Sequence, residues 1–286
     1  MVWRTAQRLH AALAGRELTG CDLRWPSLAT VDLTGRRVAG AVSAGKHLLV
    51  RVEAAGEEPA LTVHSHLRME GSWRVSRTGQ APGQARSHDV RAVLANEDWT
   101  AVGFRLGMLD VVPTAAEGQL VGHLGPDLLG AGWDAEAVVA TLQARPDRSI
   151  GELLLDQRVL AGVGTFYMAE ALFLRGCSPW TPAGEVGDLT GLVTLVHRLL
   201  VANRDRAVQI TTGDAREGRR NYVHARSGRP CLRCGTSVRV AMVGRAPQDR
   251  TAFYCPSCQP GPTPTDDGRP QAPLGAGRRG NRKRLP

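Results

Sequence analysis

Six cysteines occur in the chain, and four of them form two pairs with the same spacing. In CLRCGTSVRVAMVGRAPQDRTAFYCPSC, two residues separate Cys231 from Cys234, two separate Cys255 from Cys258, and twenty lie between the pairs. This pattern is typical of a zinc ion held by four thiolates. Disulfides and a redox motif are the alternatives, but a cytosolic setting disfavours the first and the duplication of the motif the second. We expect one structural Zn²⁺, because four thiolates leave no coordination position for water.

The positive charge of the chain is concentrated around these cysteines. Nine arginines and two acids lie between residues 216 and 250, a local net charge of +7 in a chain of net charge +9. A solvated surface usually mixes signs, so the pattern favours a nucleic-acid partner. The residues between the cysteine pairs alternate like a β-hairpin, and a protein-interaction knuckle is the alternative to phosphate binding. We expect Arg250 to contact DNA, since a guanidinium pairs with phosphate oxygens in a fixed planar geometry.

Lysine is rare in this chain, with Lys46 and Lys283 its two examples. Coding bias toward arginine is one explanation. The other is functional, because a lysine amine can lose its proton and act as a nucleophile, whereas a guanidinium cannot. The contrast alone leaves both explanations open.

A glycine pair separates two apolar helical patterns. The first pattern covers 150–155, Gly162 and Gly164 follow, and the second runs over 165–175. Glycines permit a close backbone approach, and the amides that open a helix carry partial positive charge suited to a phosphate. Packing of one helix on the other is the alternative.

The remaining segments predict the elements that position these residues. An apolar stripe at Val2, Ala6, Leu9 and Leu13 predicts a first helix, with Gly15 near its end. Residues 21–112 read as antiparallel strands separated by glycine-rich turns, and 134–200 read as helices. Residues 259–286 hold six prolines without apolar periodicity, which predicts a disordered basic tail. We expect a soluble, cytoplasmic protein, since no apolar stretch has the length of a membrane span and no targeting segment is evident.

Two other residue types carry weaker signals. His64 and His66 alternate on a predicted strand, so at least one of them is expected in the core, and neither is assigned to a metal. Cys21 and Cys177 stand alone and are expected to be buried small hydrophobes.

Seven motifs in order resemble the formamidopyrimidine-DNA glycosylase and endonuclease VIII family of base-excision repair enzymes. They are AGKHLL, HSHLRMEGSW, SHDV, LGPDLL, LLLDQRVLAGVGTFYMAEALF, YVHARSGRPCLRC and RTAFYCPSC. The resemblance implies an α+β fold: a leading helix and antiparallel β-sandwich (1–125), a helix-two-turn-helix domain (126–228), and a zinc-finger hairpin (229–258) before the tail. The expected partner is double-stranded DNA with damaged bases or abasic sites, bound by a monomer at the bacterial nucleoid.

The same resemblance implies roles for individual residues. Met69 with Arg68 would fill the space left by a flipped-out base. His88 and Thr165, at the start of its helix, would hold phosphates. Lys46 would serve the active site, and Arg250 would grip the phosphates beside the lesion and assist elimination.

The chain departs from the family pattern in three places. Thr165 stands where members carry Asn, and the segment 203–222 is shorter than in the branch that reads oxidised purines. We therefore expect oxidised pyrimidines and abasic sites as substrates, processed through a Schiff base and β/δ-elimination.

The third departure lies at the start of the chain. Family members begin with Pro-Glu-Gly-Asp-Thr ahead of the segment that here reads VWRTAQRL. In the family the proline amine attacks the sugar and the Glu carries protons. We expect a late start of this sequence and impaired turnover without that segment, with Lys46 supporting a weak lyase reaction. The competing interpretations are a noncatalytic zinc-dependent protein that binds damaged DNA and an interaction protein with no preference for damage.

Overall fold

The computed structural model describes residues 1–80 and 87–264. Two compact units make up this part of the chain, and each is described by itself. The first comprises Met1–Asp134, Gln157–Gly162 and Leu200–Ala207. The second comprises Ala135–Asp156, Val163–Leu199 and the described residues from 208 onward. None of the described helices has the length and apolar character needed to cross a membrane.

The first unit contains a leading helix, eight strands and one further short helix. Its elements are α1 (Val2–Leu13), β1 (Gly20–Leu23), β2 (Val38–Ala44), β3 (His47–Val52), β4 (Leu61–His66), β5 (Ser72–Arg77), β6 (Val90–Ala95), β7 (Trp99–Phe104), β8 (Met108–Pro113) and α2 (Gly118–Val121). The strands form two four-stranded sheets in the orders β1-β6-β7-β5 and β2-β3-β4-β8. Every neighbouring pair is antiparallel, which confirms the prediction for this region.

Both sheets and helix α1 share one apolar core. Leu9 and Leu13 of α1 are fully buried beside Val50 of one sheet and Leu94 of the other. The core forms because alternate residues of each strand point inward and the apolar stripe of α1 covers them. Helix α1 ends at Leu13, two residues before a glycine with φ +72°, as the sequence indicates.

The β2–β3 hairpin has a two-residue loop that carries Lys46. Ala44 pairs with His47 across the hairpin, so Gly45 and Lys46 form the loop. Gly45 has φ +56°, a left-handed conformation common in tight hairpin turns and disfavoured for residues with a Cβ. The lysine therefore stands at the tip of a rigid hairpin, half-buried.

The second unit contains most of the remaining helices and the third sheet. Its elements are α3 (Ala135–Gln143), α4 (Ile150–Leu155), α5 (Thr165–Leu174), α6 (Leu189–Asn203), β9 (Arg239–Val243) and β10 (Arg250–Tyr254). Helix α6 runs across the division between the units, and its last turn belongs to the first. The helical patterns that the sequence shows on both sides of the glycine pair correspond to α4 and α5.

Helix α5 packs against the β9–β10 hairpin. Phe173 of α5 lies in one apolar cluster with Val238, Cys231 and Cys255. The packing continues beyond the last cysteine, because Gln259 is buried and Pro262 accepts a hydrogen bond from Ser178 at 2.9 Å. The disordered tail predicted from 259 is therefore wrong for residues 259–262. Its residues from 265 onward lie outside the described part of the chain.

Candidate functional site

The four paired cysteines come together at the base of the β9–β10 hairpin. Their Sγ atoms all lie within 4.8 Å of one another, and none of the four is in a disulfide. A tetrahedral zinc site with Zn–S bonds of about 2.3 Å has S–S edges of about 3.8 Å, so the cluster has the size of such a site. These cysteines are the residues placed to hold a metal ion.

The charge of a metal would also balance the thiolates. Burial and neighbouring thiols raise the pKa of Cys258 to about 12, whereas hydrogen bonds with Thr236 help lower the pKa of Cys234 to about 6. A bound metal ion would favour the thiolate form of Cys258 despite its raised pKa. The side chain of Gln259 accepts a hydrogen bond from the Cys255 amide at 3.0 Å and donates one to the Cys177 carbonyl at 2.8 Å. This glutamine fixes the second cysteine pair to the rest of the unit.

The cluster of nine arginines divides into structural and exposed members. Arg226 is buried and donates to the carbonyls of Gly218 and Pro230, so it holds the chain together ahead of the cysteines. Arg216 and Arg219 both pair with Asp214. The members of the cluster that are exposed and make no such ion pair with an acid include Arg229, Arg239, Arg245 and Arg250. The positive charge that these arginines can offer to a polyanion is therefore smaller than their number in the sequence suggests.

Arg250 and Thr165 belong to the same unit, and edge-to-face aromatic contacts connect the segments that carry them. Arg250 begins β10 and is exposed, and Thr165 begins α5. The His224 ring lies 5.2 Å from that of Phe166 and 5.1 Å from that of Phe253. Since Phe166 follows Thr165 and Phe253 lies in β10, these edge-to-face contacts hold the start of the helix against the hairpin.

A buried carboxylate organises the segment that carries His224. Glu170 of α5 has no exposed surface. It accepts hydrogen bonds from the amides of Tyr222, Val223 and His224 at 2.8–2.9 Å and from the hydroxyl of Thr211. Burial lowers the pKa of His224 to about 4, so its ring is neutral between the two phenyl rings at pH 7. Glu170 is not recognisable from the sequence, because nothing local distinguishes it from a surface acid.

The first turn of α5 has free amides. Its N-cap is Gly164, which has no side chain to accept them, and no side-chain cap occurs. Such amides and the helix dipole together favour an anion at this end of the helix. Gly162, in the first unit, has φ +101°, and its amide donates to the side chain of Gln157 at 3.1 Å.

Met69 stands at the tip of a constrained turn between β4 and β5. Its side chain is 97% exposed, an unusual state for a large apolar residue. Arg68 has φ +51°, and its amide donates to Nδ1 of His66 at 3.0 Å. Gly107 leaves room for the Arg68 side chain, because a Cβ at position 107 would lie 2.4 Å from Cδ of Arg68. The turn thus presents Met69 to solvent in a defined position.

His88 is exposed near the start of β6. Its Nε2 lies 3.4 Å from a carboxylate oxygen of Asp89, which also accepts a bond from Arg105 at 2.9 Å. The ring has 93% of its surface exposed, so it is accessible to a phosphate.

Four polar residues near Lys46 have no role predicted from the sequence. Asp127 accepts a hydrogen bond from the Gly45 amide at 2.8 Å. His47, which follows the lysine, is hydrogen-bonded to His64 at 2.8 Å, and His64 to Asp110 at 3.0 Å. The expectation that one of the two histidines is buried is met by His64, which is 1% exposed but lies on the other face of the sheet from the apolar core. The HSH pattern pointed to this region, but only the strand register brings these residues together.

Two family models match the chain in the order that the sequence motifs suggest. The formamidopyrimidine-DNA glycosylase N-terminal domain matches residues 2–106, and the formamidopyrimidine-DNA glycosylase H2TH domain matches residues 124–215.

Curated relatives match over almost their whole length. A probable endonuclease 8 2 of Streptomyces coelicolor is 53% identical over 270 residues, which cover 94% of this chain and 95% of that protein. The DNA-(apurinic or apyrimidinic site) lyase Nei2 of Mycolicibacterium smegmatis is 43% identical and covers 90% of this chain and 96% of that protein. Among solved structures, Lactococcus lactis Fpg in complex with DNA containing an abasic site matches with a TM-score of 0.71 at 21% identity. The match covers 91% of this chain and 98% of that one, so the two share the same fold. The chain therefore belongs to the family of formamidopyrimidine-DNA glycosylases and endonuclease 8.

Proposed function

We propose that this protein is a base-excision repair DNA glycosylase with AP lyase activity, acting on oxidised bases and abasic sites in double-stranded DNA. The observation that carries the proposal is the full-length similarity, at 43–53% identity, to proteins named as endonuclease 8 and as an abasic-site lyase. Relatives named formamidopyrimidine-DNA glycosylase are more distant, at 31–34% identity. The protein thus falls in the endonuclease 8 branch and would work at the bacterial nucleoid in the cytoplasm.

The substrate preference that we propose is for oxidised pyrimidines over oxidised purines. Its basis is the short segment 203–222, together with the hydroxyl of Thr165 in place of an amide. A hydroxyl offers one donor to a phosphate and an amide offers two.

Each proposed role draws on the geometry of its residue. Met69, exposed on a constrained turn with Arg68, would enter the base stack and support the flipped-out base. Thr165, with the free amides of α5, and exposed His88 would bind phosphates. Arg250 would grip the phosphates beside the lesion and assist elimination.

Lys46 would serve the abasic sugar as an amine. A neutral amine attacks the sugar aldehyde, water leaves, and the resulting Schiff base acidifies the neighbouring carbon for elimination. The position of Lys46 at a hairpin tip supports this role, because the loop holds the backbone of the residue in one place.

Zn²⁺ is the metal that we propose for the cysteine cluster, with a structural role. Cys231, Cys234, Cys255 and Cys258 supply four soft thiolate ligands in a cluster of the right size. The metal would hold the hairpin that carries Arg250.

Borohydride trapping on defined duplexes tests the proposal. The protein is incubated with duplexes containing an abasic site, an oxidised pyrimidine, 8-oxoguanine or no lesion, with and without borohydride. We expect a covalent adduct and strand cleavage on the abasic duplex, and slow base release that favours oxidised pyrimidines over 8-oxoguanine. Tight, lesion-selective binding with neither adduct nor cleavage would identify a noncatalytic damage-binding protein instead. Equal binding of damaged and intact duplexes would favour the interpretation as an interaction protein with no preference for damage.

A further inference from the structure

A chain of three polar residues runs across the sheet β2-β3-β4-β8 and ends beside Lys46. Nδ1 of His47 lies 2.8 Å from Nε2 of His64, and Nδ1 of His64 lies 3.0 Å from a carboxylate oxygen of Asp110. The strand register produces this arrangement. His64 pairs directly with Asp110. His64 also pairs with Leu49, and His47 lies two residues before Leu49 on the same face of the strand, diagonally opposite His64. These residues lie on the face of the sheet opposite its apolar core.

The chemistry of the three groups determines which ring nitrogens carry protons. An ionised carboxylate only accepts hydrogen bonds, so Nδ1 of His64 must be the donor to Asp110. The Nε2 atom of a neutral His64 is then an acceptor, and Nδ1 of His47 must donate to it. Nε2 of a neutral His47 is left with a lone pair. Asp110 therefore sets the tautomer of a ring two hydrogen bonds away.

The ring of His47 is neutral at physiological pH. Burial, together with the neighbouring side chains of His64, His66, His123 and Lys46, lowers the pKa of His47 to about 4. Burial and the charge of Lys46 likewise lower the pKa of His66. Lys46 directly precedes His47 at the hairpin loop, so the two side chains start from neighbouring residues.

The loop that carries Lys46 is thus held on both sides by a carboxylate. Asp127 acts on the residue before it, through the amide of Gly45. Asp110 acts on the residue after it, through His64 and His47. A metal ion does not explain the histidine pair, since both ring nitrogens of His64 are already engaged in hydrogen bonds.

We infer that Asp110, His64 and His47 form a positioning chain for Lys46, in which the Nε2 lone pair of His47 accepts a hydrogen bond from the lysine amine. This inference rests on the proposed function, because it concerns the reaction of that amine with the abasic sugar. The chain keeps an acceptor, rather than a second cation, next to the amine. It orients Nζ for attack and adds no positive charge to the site.

Two measurements on the full-length, zinc-loaded protein test this inference. Long-range ¹H–¹⁵N NMR reports which nitrogen of each histidine carries the proton. We expect the Nδ1–H tautomer for both His47 and His64, although a histidine in water prefers Nε2–H. An Nε2–H tautomer of His47 in the unmodified protein would overturn the inference while leaving the proposed function intact.

The second measurement is the rate of borohydride trapping on an abasic duplex. We expect His64→Leu to slow trapping about tenfold with the Kd for the duplex unchanged, because the amine loses its orientation. His64→Gln should recover most of the rate, since its amide oxygen accepts the Nδ1–H bond of His47. Glu117→Gln is the matched control. It weakens the ion pair of Glu117 with Arg51, which lies in the same sheet, and leaves Asp110, His64 and His47 unchanged.

The outcomes separate the two claims. Trapping by His64→Leu at the unmodified rate would overturn the positioning chain alone. Failure of the unmodified protein to trap would overturn the proposed function and with it the inference. If His64→Leu does not fold, Asp110→Ala gives the same test from the half-exposed end of the chain, with the same expected loss of rate.

Discussion

The carboxylate of Asp127 accepts a hydrogen bond from the amide of Gly45 at 2.8 Å, one residue before Lys46. The other oxygen of Asp127 accepts from the Leu129 amide at 3.0 Å. The LGPDLL motif and the AGKHLL motif, which lie 82 residues apart at these two positions, are thus in direct contact. The contact makes the lysine loop depend on a residue that has no chemical role of its own.

We predict that Asp127→Ala reduces abasic-site trapping more than it reduces stability. The free energy of unfolding should fall by about 1.5–3 kcal/mol, as expected for a hydrogen bond to a charged group. Trapping should slow about tenfold, because the hairpin tip loses its anchor. Asp127→Asn keeps an acceptor oxygen and should trap at nearly the unmodified rate. Equal rates for Asp127→Ala and the unmodified protein would show that the loop is held without this contact.

Met69→Ala should weaken the binding of damaged DNA and leave the fold unchanged. The side chain is almost fully exposed, so its loss should change the free energy of unfolding by less than about 0.5 kcal/mol. Affinity for an abasic duplex should fall about tenfold or more, since inserting a side chain offsets the cost of unstacking. Met242→Ala is the matched control, an exposed methionine on β9. If both variants bind alike, the turn at Met69 does not enter the base stack.

Removal of the metal should unfold the hairpin and abolish DNA binding. Mass spectrometry under native conditions should find one zinc ion per chain, and a strong chelator or Cys234→Ser should remove it. Loss of the hairpin displaces Arg250, so affinity for DNA should decrease at all lesion types. Cys177→Ser is the control, since Cys177 lies outside the cluster. A protein that binds DNA normally with no metal would contradict a structural role.

Glu170→Gln should destabilise the second unit. The carboxylate accepts four hydrogen bonds, three of them from successive backbone amides. A glutamine would place an NH₂ group, which is a donor, against some of these donors. We expect a loss of about 2–4 kcal/mol in the free energy of unfolding. Glu185→Gln, at an exposed position, should have no measurable effect. Thermal unfolding of the two variants gives the comparison.

The identity of the attacking amine is tested by comparing two forms of the protein. One is the present chain, and the other carries Pro-Glu-Gly-Asp-Thr between Met1 and Val2. We expect the extended form to trap an abasic duplex much faster, because a proline amine would supply the nucleophile. Lys46→Ala in each form measures the contribution of the lysine amine. Equal trapping by both forms would assign the reaction to the present chain alone.

Local patterns in the sequence were sufficient for most elements. The stripe through Leu9 and Leu13 identified α1, and the glycine pair separated α4 from α5, because helical periodicity and turn residues act over a few positions. The spacing of the four cysteines predicted a cluster that could hold a metal ion, and their sulfur atoms lie together. Each of these features depends on neighbours within one segment.

Only the tertiary structure decided how distant polar groups pair. His47, His64 and Asp110 lie on three strands, and a shift of register by one residue would turn each side chain to the other face. Arg226 looked like a member of a charged surface, yet it is buried. Glu170 is buried as well, and it binds the amides of Tyr222, Val223 and His224, which lie 52–54 residues away in the sequence. A sequence determines such partners only through the packing of the whole unit, which is why the residues that could do chemistry were predictable and those that position them were not.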